Sequence, residues 1–464
     1  MGTGHNVLGR ALPRVDSMEQ VTGATRFADD LTLPGTLVGR QLLSTYPHAL
    51  IVGIDTSRAE ALDGVRAVIT GSDLPITYGI LPVSQDENAL AMDRVRYVGD
   101  PVAAVAADDA EIAERALSLI EVDYEPLAEV VDLGQGLSED RPLIHGEGSG
   151  RNVHRSVALE FGDVDEGFGV ADHIREDVFH YSGNTHAALE THCVLASYDA
   201  AGKLTLWSST QVPHYLHRSL ERVLELPAGR IRVVATPNGG GFGGKTEPFS
   251  HEFVAAKLSI LTGRPVRINL SREEVFYAHR GRHPVLMWVR TGFASDGRIT
   301  AMHFRSFLDG GAYSSYGIVS LYYTGALQTT TYRIPSYRFE GVRVFTNKPA
   351  CGPKRGHGTP QPRFAVECQL DRAAEDLDMD PVGIRLVNAV EPDSSTVNHL
   401  RITSCGLRDC IAKVAGASDF TARHGRLPHG QGLGLAVGAY MSGAGLPIYW
   451  NDMPQSEVQV KVDR

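Results

Sequence analysis

Residues 236–248 read TPNGGGFGGKTEP, with five glycines in six positions and one phenylalanine among them. Glycine surrenders more conformational freedom on folding than any other residue, so such a run belongs where the backbone itself must approach something closely. The chemistry it offers is main-chain: N–H groups aimed at an anion need no side chain. Three local readings fit. Gly239, Gly241 and Gly244 form G-x-G-x-x-G, but no acidic residue on a following strand about 20 residues later completes a dinucleotide site. Gly239, Gly244, Lys245 and Thr246 also satisfy the spacing of a phosphate-binding P-loop. Against that reading, Glu247 and Pro248 occupy the expected helix start, putting a carboxylate where phosphates would sit. No apolar run downstream ends in a convincing metal-binding aspartate. The third reading is a structural turn.

The cysteines carry less chemistry. Cys193, Cys351, Cys368, Cys405 and Cys410 are odd in number and scattered. Cys405 and Cys410 lack a second Cys/His pair for zinc and read as ordinary thiols, and no cluster here holds an iron–sulfur centre. Few unpaired cysteines fit a reduced cytoplasmic setting.

These candidates sit in a chain of 464 residues, long enough for about two to four domains. Its 42% hydrophobic and 21% charged residues are those of a globular protein. A net charge of −11 disfavours nucleic acid as the main partner. No apolar run approaches the ~18 residues of a membrane span. The first residues, MGTGHNVLGR, contain no apolar signal core, and Asn6 stands where a myristoylation motif wants Ser or Thr.

The elements that position the loops come in mixed order. Residues 18–125 alternate short apolar runs with turns and contain a helix, DAEIAERALSLI, capped by Asp108 or Asp109, then a strand, EVDYEPL. The polar, glycine-rich stretch 131–152 reads as a linker. Beyond it, DHIREDVFHYS, CVLASYDAAGKLTLWSSTQ and RIRVVATPN read as strands, with a hairpin turn at Ala201-Gly202. HYLHRSLERVLEL and EPFSHEFVAAKLSILTG read as amphipathic helices, the second closed by Gly263. Further strands and the helix PRFAVECQLDRAAEDLDM follow, so the fold class is α+β. SEVQVKVDR reads as an alternating strand running into a charged turn.

Taken together, the motifs resemble the molybdopterin-binding large subunit of the xanthine dehydrogenase family of molybdenum hydroxylases. VTGATRFADDLTLPGTLVGRQLLSTYPHALIVGID (21–55) and VRYVGDPVAAVAA (95–107) are similar to its N-terminal hammerhead domain. SSTQ (208–211), GGGFGGK (239–245) and RGHGTPQ (355–361) are similar, in order, to three loops of its first molybdopterin domain. The resemblance implies a hammerhead domain over 1–130, a linker over 131–152, a first molybdopterin-binding domain over 153–440 and the start of a second over 441–464. It implies a molybdopterin cofactor in the cytosine dinucleotide form, with no protein side chain ligating the metal. Gln211, Gly241, Phe242, Gly243 and the backbone of Arg355 fall on the cofactor-binding positions. Thr246, Tyr323, Gly325 and His357 fall on the substrate-binding positions, with Tyr316 and Tyr322 nearby.

Departures from the pattern narrow the activity. Purine dehydrogenases carry a glutamate where Thr246 stands and an arginine where Gly325 stands, and both losses argue against xanthine. Gly356 occupies the copper-binding cysteine position of carbon monoxide dehydrogenases. GGAYSSYGIVSLYYTGAL (310–327) and CGPKRGHGT (351–359) are most similar to the 4-hydroxybenzoyl-CoA reductase branch, in which glycine at 325 would leave room for an aromatic ring. That implies removal of a ring hydroxyl from an aromatic CoA thioester; the alternative is water-dependent hydroxylation of an N-heterocycle or aldehyde. The family's general-base glutamate has no match before Arg464. It is therefore expected either on a partner polypeptide carrying the second molybdopterin half, in a complex with an FAD subunit and a [2Fe–2S] subunit, or in the rest of a longer chain of which this sequence is a fragment.

Overall fold

The computed structural model describes residues 7, 9–146, 150–278, 280–440 and 460–462. The chain forms two compact units. One contains 1–126 and 186–278; the other contains 127–185 and 279–464. The stretch 153–440 therefore contributes to both.

The first unit is built on a seven-stranded sheet. Its order is Ile231–Ala235, Leu204–Ser208, Cys193–Tyr198, Val266–Asn269, Leu37–Leu43, Pro101–Ala107, Val65–Thr70. The N-terminal strand Leu37–Leu43 pairs in parallel with Val266–Asn269, so segments more than two hundred residues apart in sequence share one sheet. Pro101–Ala107, PVAAVAA, is buried along its whole length, as a central strand rich in small and branched residues should be. A three-stranded sheet of Arg94–Val95, Ala49–Asp55 and Glu121–Pro126 lies in the same unit. Helix Ala110–Leu117 begins at Asp109, whose Oδ1 accepts from the Ile112 N–H at 2.8 Å. The hairpin turn falls where expected, the Gly202 N–H donating to Asp199 O at 2.9 Å.

Helix Ser250–Thr262 ends at Gly263 as read from sequence, but it is not amphipathic. His251, Glu252, Phe253, Val254, Ala255 and Ala256 are all buried in succession. Burial on every side over this stretch is that of a core helix. Polar His251 and Glu252 are enclosed with it and must find partners inside.

The second unit carries a five-stranded sheet in the order Val153–Phe161, Tyr337–Val344, Ile299–Asp309, Val285–Phe293, His173–Tyr181. Tyr337–Val344 runs parallel to Ile299–Asp309 and the other pairs are antiparallel. Helices Gly317–Ala326 and Pro360–Asp376 pack on this sheet over a core that includes Met287, Val289, Phe304, Phe339 and Leu370. The stretch 131–152 is more than a tether. Asp132 caps a short helix, Leu133–Leu137, and Asn152 Oδ1 accepts from the buried Ile144 N–H at 2.8 Å. Just before it, the Val130 N–H donates to Asn347 Oδ1 at 2.8 Å. Glycine and polar content marked it as a loop, but its buried amides are paired within the unit. The strand expected over 456–464 lies outside the described residues apart from 460–462, which are irregular and exposed.

Candidate active site

In the first unit, strands Leu204–Ser208 and Ile231–Ala235 are parallel neighbours, with Ser208 opposite Ala235. Parallel strands end on the same edge, so the loops that follow them meet. The Thr236 N–H donates to Ser208 O at 3.0 Å, and Gln211 arrives beside the glycine run. Gln211 Oε1 accepts from the N–H groups of Gly243 and Lys245, both at 3.2 Å, while its own N–H donates to Lys245 O at 2.8 Å. With the carbonyl oxygen committed to two backbone donors, the Nε2 hydrogens are the end this exposed side chain offers to a ligand. Gly243 falls on a cofactor-binding position of the resemblance, and its N–H here meets Gln211.

The loop is shaped by close approach. A Cβ on Gly241 would lie 2.5 Å from Gln211 Oε1, and Gly243 holds φ +99°, which a side chain rarely tolerates. Phe242 also has positive φ, 53°, and the residue is 43% exposed. The Thr246 hydroxyl donates to Gly243 O at 2.6 Å, so this residue closes the turn.

Two further residues hold the ends of the loop. Glu190 Oε2 accepts from the Gly239 N–H at 2.8 Å and from Lys245 Nζ at 2.6 Å. Lys245 is 2% exposed, and burial lowers its pKa even though Glu190 opposes the shift. A lysine engaged in this way is not free to grip phosphates, and helix Ser250–Thr262 does not begin until four residues past Thr246. Both findings remove the P-loop reading. Beneath the loop, the Ser208 hydroxyl donates to Glu252 Oε1 at 2.6 Å, and the Phe249 N–H donates to Glu252 Oε2 at 2.8 Å. Complete burial pushes the Glu252 carboxyl up to about 7.

In the second unit, the loop 351–359 leads into helix Pro360–Asp376. His357 is 8% exposed, and its Nε2 lies 2.5 Å from Ser320 Oγ. Tyr316 and Tyr323 present themselves edge-on to its ring, with centroids at 5.9 and 6.1 Å. Burial, then the charge of Arg282, lowers the imidazole pKa to about 3, so it stays neutral near pH 7. Arg355 is exposed, and its carbonyl accepts from Arg282 Nη2 at 2.6 Å.

Gly325 requires a correction. A Cβ there would lie 2.3 Å from Phe339, and the Tyr337 hydroxyl donates to Gly325 O at 2.9 Å. The missing side chain lets the helix seat on the sheet, and Phe339 already fills the space expected to admit a substrate ring. The second unit thus gathers Tyr316, Tyr323 and His357 and directs Gly325 into the core. Glu190, Ser320 and Arg282 were not singled out from sequence. Lys245 was legible inside its motif, but its partner lies 55 residues away with no local signal.

An oriented amide, a closely approached glycine backbone and no demand for a ligating side chain fit the cradle of an anionic metal–oxo group. Comparison with known proteins agrees. Residues 144–389 match the model of the molybdopterin cofactor-binding domain, and residues 22–128 match the aldehyde oxidase and xanthine dehydrogenase a/b hammerhead domain. The nicotinate dehydrogenase large molybdopterin subunit of Eubacterium barkeri is 38% identical, over 89% of this chain and 97% of that one. The xanthine dehydrogenase molybdenum-binding subunit of Escherichia coli O157:H7 is 33% identical, over 92% of this chain but 59% of the relative. Quinoline 2-oxidoreductase from Pseudomonas putida 86 superposes with a TM-score of 0.82 at 29% identity, over 89% of this chain and 54% of that one. The chain thus spans nearly all of the first relative and a little over half of the other two. No helix among the described residues is long and apolar enough to cross a membrane. The chain belongs to the xanthine dehydrogenase family of molybdenum hydroxylases, as a hammerhead domain followed by a molybdopterin-binding domain.

Proposed function

We propose that this chain is the molybdopterin-binding subunit of an oxidoreductase complex that hydroxylates a nitrogen-containing aromatic ring with oxygen from water. In that reaction a ring C–H and water give a ring C–OH, two protons and two electrons. The bound molybdenum cofactor supplies a centre that accepts the electron pair, and FAD and [2Fe–2S] groups in partner subunits carry it away. Gln211 and the loop Gly239–Lys245 orient and hold the cofactor. Neutral His357, with Tyr316 beside it, presents a ring face and an imidazole edge to the substrate without adding charge. A glutamate of the assembled complex takes the proton of the attacking water.

The observation that carries this reading is the match to nicotinate dehydrogenase along nearly the full length of that subunit. The reverse direction, loss of a hydroxyl from an aromatic thioester, has less support because Phe339 fills the space beside Gly325. The experiment is isotope tracing on the assembled complex. With an N-heteroaromatic substrate, an electron acceptor and water carrying heavy oxygen, the label should appear in the product. Dehydroxylation of a hydroxybenzoyl thioester by the reduced complex, with no labelled product in the oxidative assay, would reverse the assignment.

A further inference from the structure

Arg282 sits beneath the 351–359 loop and is 7% exposed. It donates through Nη2 to Arg355 O at 2.6 Å and through Nη1 to Gln361 Oε1 at 3.5 Å, the limit of a hydrogen bond. Neither acceptor is charged, and among the described residues no carboxylate pairs with it. Buried charges are ordinarily paired, because leaving water is expensive for an ion. The same unit shows the ordinary arrangement at Arg385. That side chain is fully buried, with Glu367 and Asp371 each at 2.8 Å. A second fully buried arginine, Arg343, is hydrogen-bonded on several sides, to His283, His154 and the carbonyls of Gly310 and Tyr313. Arg282 has neither kind of enclosure.

A second cation stands beside it. Lys354 Nζ donates to Asn184 Oδ1, and the carbonyl of that same Asn184 accepts from the Arg282 N–H at 2.9 Å. Asn184 therefore holds the ammonium next to the Arg282 backbone. Lys354 forms no ion pair among the described residues, and Arg282 and Arg355 both repel its charge. Arg282 and Lys354 thus flank a loop that also carries the neutral His357, and among the described residues no carboxylate pairs with either of these two.

We infer that Arg282 and Lys354 form a binding site for the carboxylate of an aromatic or heteroaromatic acid, the substrate of the reaction proposed above. A carboxylate accepting from the guanidinium and the ammonium would supply the missing negative charge through charge-assisted hydrogen bonds. The ring attached to it would lie along the loop toward His357. This inference names the substrate class and so rests on the proposed function, but binding can be measured without turnover.

The test uses the assembled complex and four probes: nicotinate and benzoate, and their uncharged amides, nicotinamide and benzamide. Titration calorimetry should show at least one acid binding about tenfold or more tightly than its amide. Lys354→Gln should erase that preference while leaving amide binding unchanged. Lys354→Arg should retain it, and added salt should weaken the acid alone. Failure of both acids to bind, or an equal change for acid and amide in Lys354→Gln, overturns the inference. So does loss of bound molybdenum in Lys354→Gln, because the anion would then be a cofactor phosphate. A complex that binds the acid through Lys354 but hydroxylates no ring would sink the proposed reaction and leave this site standing.

Discussion

In the loop Gly239–Lys245 it is the main chain that the surrounding residues hold in place; in the loop 351–359 it is the side chains. The first is held from outside, by Glu190 at its two ends, by Gln211 on its inner donors and by the Thr246 hydroxyl across its turn. The second is held by burial, with His357 packed against Tyr316 and Tyr323 and bonded to Ser320. The contrast follows from what each must meet. A small charged centre common to a family is well served by fixed backbone dipoles, which cost no reorganisation. A substrate that differs between relatives calls for groups that substitution can change. Damage to the first loop should therefore remove cofactor, and damage to the second should change substrate preference and leave the cofactor in place.

The largest expected effect is at Gly243. Gly243→Val forces a β-branched residue into φ +99° and displaces the amide that meets Gln211. With Gln211 no longer fixed, its Nε2 donor is lost to the cofactor, a cost of about 10²–10³ in rate, and misfolding of the loop adds loss of metal. Thr246→Ala removes a single turn-closing bond and should keep most of the molybdenum. Metal content per subunit compares the two directly; equal loading would mean the backbone is not the cradle.

Next comes the clamp. Glu190→Gln leaves the 2%-exposed Lys245 charge without its carboxylate, and breaking a buried pair this way costs about 3–5 kcal/mol. Lys245→Met alone strands Glu190, whose side chain is 13% exposed, and should cost less. The double substitution should recover part of the loss, as coupled neighbours do. Additive losses in urea unfolding would show that the two residues act separately.

How far the sequence foretold this depends on the range of the signal. The Asp109 cap, the Gly263 stop and the Ala201-Gly202 turn are local, and each was legible. So was the GGGFGGK motif, because close approach leaves its mark within the loop itself. Glu190 was not, since it reaches Gly239 across 49 residues and nothing near it in sequence announces the contact. Gly325 was misread for the same reason. Its environment is set by Phe339 on another element, and a missing side chain looks identical whether a substrate or a core residue occupies the space. The burial of His251 and Glu252 on a helix that reads as amphipathic is likewise a tertiary fact.

In the second loop, His357→Ala should raise the substrate KM about tenfold with molybdenum content unchanged, because the histidine holds no part of the cofactor cradle. A cofactor-free variant would place His357 among the structural residues and erase the contrast between the loops.

The smallest effect tests whether the first loop is also held from below. Glu252 is enclosed, bonded to Ser208 and to the Phe249 amide, and its carboxyl titrates near 7 against a reference of 4.5. The folded protein therefore keeps this proton more tightly than the unfolded chain does. Its stabilising contribution is complete below about pH 4.5 and declines as the pH rises through about 7, where the buried group must ionise. Glu252→Gln keeps an acceptor and a similar shape but cannot ionise. Denaturant midpoints taken across that interval should decline less steeply in the variant than in the parent chain. If the two slopes coincide, the Glu252 proton is not linked to folding, and support for the glycine loop comes from Glu190 and Gln211 alone.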